Sequence, residues 1–309
     1  MSNGSTYTLS ITPSVASNAL RLSDAELDLI TADTLRIGRA DNSGDITLRA
    51  AISPANIDTL ALITNGAVID GTPTEQIDIT VSNLSILAFD GVGTSDEIDT
   101  AVGVVASSGV NGGFNLRNTG DLIVGTVDGV AGISATSGGS LVIAAAGSLT
   151  INEGVLGSNV ALSTIDSATA GQNLIVNAGG NIFSLSNSLI LSAGDNLTIA
   201  AQLGMSESAA IELIADSGAA DIVGSTIDLT GATFTTANAV TITGGTAADT
   251  FNIAPFAGNA LSIVGASPTA LPGDILNIVL PPSNGILEPT AVGAGTFSFT
   301  DREDVAFTT

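Results

Sequence analysis

Three sets of residues have the types and spacing to do chemistry. The first is the loop Asp90-Gly-Val-Gly-Thr-Ser-Asp-Glu-Ile-Asp99, in which Asp96, Glu97 and Asp99 follow Asp90 closely. Several carboxylates on one loop suit calcium, a hard ion that takes about six to eight oxygen ligands. The spacing departs from that of an EF-hand loop, and Asp also caps turns on its own account. The second set is Gly244-Gly-Thr-Ala-Ala-Asp-Thr-Phe-Asn252, which resembles one copy of a calcium-roll nonapeptide with Asp249 at the ligand position. Ala247 replaces the third glycine of that pattern, and a roll needs tandem copies because each ion sits between successive turns. A plain turn therefore competes with calcium at both places.

The third set is the acids as a whole. A pair of carboxylates can cleave a glycosidic bond, one as acid and the other as base or nucleophile. Here, however, they are spread one or two to a repeat, as charges serving solubility would be. No basic residue lies between Arg117 and Arg302, which leaves that stretch without a cation to neutralise an acidic sugar. Arg36, Arg39 and Arg49 lie among Asp33, Asp41 and Asp45, where local surface ion pairs are expected.

Other chemistries are removed by composition. The 309 residues contain no Cys, His, Lys or Trp. There is thus no thiol nucleophile or disulfide, no imidazole base or usual zinc site, and no Schiff-base or Walker lysine. No cofactor is expected, calcium being the one possible ion. A formal charge of -24 repels nucleic acid and anionic lipid, so neither is an expected partner. With 44% hydrophobic residues and a mean hydropathy of +0.49, the chain is too apolar to stay disordered.

The elements that must position these residues are short and β. Runs such as Asp45–Arg49, Asp121–Val124, Leu141–Ile143 and Asn196–Ile199 alternate apolar and polar residues and close on Gly, Asn, Asp or Ser. Glycines precede strands at Gly147, Gly171, Gly194 and Gly218, with Asn238 next in line. After them come Leu149 and Ile151, Leu174 and Val176, Leu197 and Ile199, Ile222, then Val240 and Ile242. Gly44 and Gly66 open similar strands earlier. A period in the low twenties with several short strands is the pattern of a coil stacked into a solenoid. An antiparallel sandwich also gives frequent short strands, and the repeat decides against it.

The expected fold is all-β: a right-handed parallel β-helix with a small C-terminal β module as cap. Residues 1–23 form a lead-in, 24–245 the coil of about ten windings, and 246–309 the module. Ser23-Asp-Ala-Glu26 has capping-box form and predicts a short helix at the start. Six of the nine prolines and five of the nine Phe lie beyond residue 250, and proline cannot donate to a ladder.

Asp24–Thr31 leading to Thr34–Gly38, then Gly44–Leu48, Thr59–Thr64, Asp99–Val102 and Gly120–Val130, resembles coil units of very large exported bacterial proteins of the filamentous haemagglutinin type. Asp249–Ile253, Gly273–Asn277 and Gly295–Asp301 resemble modules that follow such coils. The resemblance implies a non-enzymatic structural or adhesive role in surface attachment, scaffolding or fibre building. The implied partners are a host-cell, matrix or glycan surface, or neighbouring copies or modules of the same giant chain.

The implied location is extracellular or on the bacterial cell surface. The opening MSNGSTYTLS lacks a basic region followed by an apolar stretch, so a fragment of a longer exported chain is expected. No window is apolar for long enough to insert in a membrane as a helix. The alternatives are a polysaccharide-binding or -cleaving β-helix enzyme using carboxylates, and a self-assembling filament subunit.

Overall fold

The alternating runs do become strands, and they stack side by side in parallel. The computed structural model describes residues 9–11, 20–72, 75–186, 188–206, 210–218, 220–235, 239–268, 273–279 and 285–308. Asn238, Pro73, Pro272, Pro281, Pro282 and most of the lead-in 1–23 lie outside the described residues. The described chain is all-β, with long, mostly parallel sheet built from many short strands. It divides into two compact units, Met1–Ala145 with Glu153–Ser158, and Ala146–Asn152 with Asn159–Thr309. No helix among the described residues is long and apolar enough to cross a membrane.

In the first unit, Ile46–Leu48, Ala67–Asp70, Gly91–Val92, Phe114–Asn118 and the end of Ile133–Ala145 pair in succession. The register puts Ile46, Val68, Val92, Phe114 and Leu141 in one fully buried column. A second run joins Ala32–Gly38, Ile57–Thr64, Ile79–Ala88 and Ile98–Val110. Its inward columns are Leu35, Leu60, Leu84 and Val105, and beside them Ile37, Leu62, Ile86 and Ser107. Ser107 is a polar member of an apolar column that Ile133 continues, and its hydroxyl is satisfied by donating to the Ile86 carbonyl at 2.7 Å. Stacking in parallel satisfies each strand's backbone from the windings on either side and buries apolar side chains like on like.

The outward column of the same run is Arg36, Ala61, Ser85 and Ala106, and the last three are fully buried. What lies against these strands is an antiparallel hairpin, Thr126–Val127 with Val130–Ala131. Its two-residue turn is Asp128-Gly129, both at positive φ (52° and 79°), the conformation an Asp-Gly hairpin turn demands. Small side chains underneath leave room for the hairpin, whose Val127 is buried.

The capping-box helix is present as Asp24–Leu27, Ser23 and Glu26 serving each other's backbone N–H groups. Leu27 is its one buried residue. Asp24 and Asp28 accept the amides of Ser53 (2.6 Å) and Ala55 (2.8 Å), fastening the helix to the following winding.

The second unit repeats the scheme. Leu149, Leu174, Leu197, Ile227, Phe251 and Leu276 form one column. Val160, Leu189, Ile211, Val240, Leu261 and Val305 form another, and Ile182, Leu203 and Phe234 a third. Two expected placements are corrected. Ile222 is in no strand and is 94% exposed; the residue that stacks on Leu197 is Ile227, 30 positions on. Val240 and Ile242 stack on Ile211 and Leu213, in a different column from Leu149. The physical reason is that hydrogen-bond register repeats from winding to winding while turn length does not, so counting from glycines loses phase at a long turn.

Parallel pairing runs past residue 245. Thr250–Ile253 lies on Thr226–Asp228, and Ala260–Val264 lies on Ala239–Thr243. Antiparallel pairing enters with Ile286–Ala291, Ala294–Ser298 and Val305–Thr308.

Candidate functional site

The three acids of the first loop are not brought into one set. Asp99 is the second residue of Ile98–Val110, 6% exposed, with Arg117 as its register partner on the adjacent strand. Burial pushes its carboxyl up from the ordinary value, against the pull of Arg117. Asp96 and Glu97 stay on the half-buried bend before the strand. Among the described residues, no group of three or more metal-ligating side chains is placed to hold an ion.

Sequence reasoning passed over the most unusual acid of this region. Asp78 is fully buried, and its Oδ2 accepts the Asp99 N–H at 3.0 Å. Its Oδ1 is sealed from solvent and receives no donor. Asp70, close by, accepts the Thr72 N–H at 2.7 Å and the Thr72 hydroxyl at 2.8 Å. Desolvation, with smaller contributions from the charges of Asp70 and Asp99, pushes the Asp78 carboxyl up to about 7. A signal was available: Asp78 precedes Asp99 by one repeat length, so the two belong to neighbouring windings.

Asp249 is 1% exposed and both its oxygens are engaged. Oδ1 accepts the Ser225 N–H (2.7 Å) and hydroxyl (2.8 Å), while Oδ2 accepts the Gly245 N–H (2.8 Å). It has company. Asp216 accepts the amides of Thr246 (2.9 Å) and Ala247 (3.3 Å), and Asp195 accepts those of Gly171 and Gln172. Asp274 accepts the Asp249 N–H at 3.0 Å, and in the first unit Asp45 accepts that of Ala67 at 2.9 Å. Burial raises the carboxyls of Asp216 and Asp274.

These acids are clamps. Each reaches turn or strand-end amides about one winding away that no ladder satisfies, which corrects the reading of the acids as surface charge alone. The turn glycines have a matching role. A Cβ on Gly245 would stand 2.1 Å from Asp216 Oδ2, and one on Gly218 would stand 2.0 Å from Asp166 Oδ2.

The arginines divide. Arg39 pairs locally with Asp41, as expected. Arg36 passes over its sequence neighbour Asp33 and pairs with Asp128 at the hairpin tip, a correction to the local pairing expected for it. Arg302 donates from Nη1 to the Pro255 carbonyl at 2.8 Å.

Chemically, the arrangement holds backbone turns, and at Asp78 it buries a carboxyl with one oxygen unserved. Comparison with protein-family models, with curated proteins and with solved structures finds no match to this chain.

Proposed function

We propose that this chain is a right-handed parallel β-helix closed by a small C-terminal β module, serving as a non-enzymatic structural or adhesive part of a large exported bacterial protein of the filamentous haemagglutinin type. Its working feature is an outer surface displayed outside the cell on a stiff stack of windings. The observation that carries the reading is the use made of the acids: the buried carboxylates Asp195, Asp216 and Asp249 hold amides of neighbouring windings. A carboxylate committed in this way supports a scaffold and is ill placed to act on substrate.

Binding of the immobilised chain to glycan arrays and to matrix- and cell-coated surfaces tests this, alongside sugar release from acidic and neutral polysaccharides. Saturable attachment without sugar release is expected. Cleavage that Asp→Asn substitutions abolish would replace the reading with a carbohydrate enzyme. A second reading, assembly of copies through strand edges, is favoured by Ile286–Ala291, all six of whose residues are exposed. Growth of particle size with concentration would select it.

A further inference from the structure

We propose that Asp78 keeps its proton up to near-neutral pH and donates it in a hydrogen bond to Asp70, so that this winding is a pH-sensitive joint that loosens as the proton leaves to solvent. The geometry offers little else. Oδ2 is satisfied by the Asp99 N–H, while Oδ1 is buried without a donor. An ionised carboxylate so placed leaves a charge in a desolvated site with one oxygen bare. Protonation removes the charge and makes the group a donor, and Asp70 is the side chain its hydrogen bond reaches.

The backbone of Asp78 is fixed to two windings. The Asp78 N–H donates to the Asp99 carbonyl and its own carbonyl accepts from Ile52 N–H, both at 2.8 Å. Swinging the carboxyl outward breaks its bond to the Asp99 N–H.

The two charges that act on Asp78 are carboxylates, and both push its carboxyl up. Asp70 faces the group from Ala67–Asp70, and Asp99 faces it from Ile98–Val110. Around Asp99 are Glu75, Glu97 and Arg117, the last lying on Phe114–Asn118 as the register partner of Asp99. Arg49 is the other cation near, its Cγ 3.5 Å from where a Cβ on Gly71 would sit. Asp78 itself therefore has carboxylates as its charged neighbours and no cation of its own.

Urea midpoints of the whole chain and of Asp78→Asn, measured from about pH 6 to about pH 8, test the proposal. An Asn amide can donate to Asp70 and accept from the Asp99 N–H, imitating the protonated acid at every pH. The unsubstituted midpoint should fall across the interval more steeply than the Asp78→Asn midpoint. Equal slopes in the two chains would overturn the proposal. If Asp78→Asn does not fold, the Asp78 carboxyl carbon is followed by NMR in the unsubstituted chain. Titration near neutrality is expected, and titration in the ordinary carboxylate range would overturn the proposal. Recovery of the midpoint at alkaline pH by added calcium would also overturn it, by showing a metal where the proton was assigned.

Discussion

Arg36 and Asp128, 92 residues apart in the chain, meet side-on, the guanidinium Nε and Nη2 each donating to a different carboxylate oxygen. The Nε contact is 2.7 Å. Arg36 stands at the head of the column whose next members are Ala61, Ser85 and Ala106, so the pair ties a hairpin tip to the outer face of a parallel run. Two-point geometry orients the turn as well as attracting it.

Asp128→Asn removes the charge and keeps the shape. Amides of Thr126–Ala131 should then exchange hydrogen faster while the inward columns keep their protection. The difference should shrink in high salt, since Arg36 is exposed and its field is screened. Unchanged exchange across the hairpin would show that apolar contact of Val127 holds it alone.

The Gly245–Asp216 relationship predicts a compensating pair. Gly245→Ala should destabilise by about 1–3 kcal/mol, the usual range for forcing atoms into a filled space. The added Cβ meets Asp216 at its own Cβ (2.4 Å) as well as at its carboxylate, so a rotamer change gives no relief. Asp216→Gly, which also releases the Thr246 and Ala247 amides, should cost less in the Gly245→Ala chain than in the unsubstituted one in a urea titration. Strict additivity of the two substitutions would contradict the packing described.

Asp249→Ala should cost about 3 kcal/mol, because two amides and a hydroxyl lose their acceptor in a buried turn. Calcium and chelator should leave the melting midpoint of the unsubstituted chain unchanged, since protein donors already occupy both oxygens. A calcium-dependent rise lost in Asp249→Ala would instead restore the ion-binding reading.

Stability should decline from about pH 5 to about pH 8. The carboxyls of Asp78, Asp99, Asp216 and Asp274 are all raised above the ordinary 3.8 by burial. A raised folded value means that the folded chain binds more protons than the unfolded one. The stabilisation is thus complete below 3.8 and is lost as pH climbs through each folded value, ending near 7 for Asp78. Mutual repulsion within a charge of -24 adds in the same sense. A midpoint that rises over this interval would contradict the assignment.

Much of the secondary structure was legible because strand alternation is local. Leu149, Leu174 and Leu197 announce their shared column by spacing alone, and Ser23 with Glu26 announce the cap. Ile222 misled because one long turn shifts the count, and an apolar residue in a loop looks the same as one in a strand. The partners of Arg36 and Asp249 were hidden for a different reason. Which turn a side chain touches depends on the number of residues in every winding between, and no local pattern records that sum. The spacing of Asp78 and Asp99 was legible as one repeat length, but the burial of the Asp78 carboxyl was not, since burial is a property of the neighbours.

Parallel in-register stacking is the claim on which the rest stands, and the absence of native cysteine makes it open to cross-linking. Ile175 and Thr198 are register partners on adjacent strands, while Thr150 lies one strand further on. Adjacent strands are about 4.8 Å apart, within disulfide reach, and alternate ones about twice that, beyond it. Mild oxidation of Ile175→Cys/Thr198→Cys should give an intramolecular disulfide in nearly every molecule, and Thr150→Cys/Thr198→Cys should give none. A bond in the second pair, or its failure in the first while the chain stays folded, would contradict the stacked arrangement.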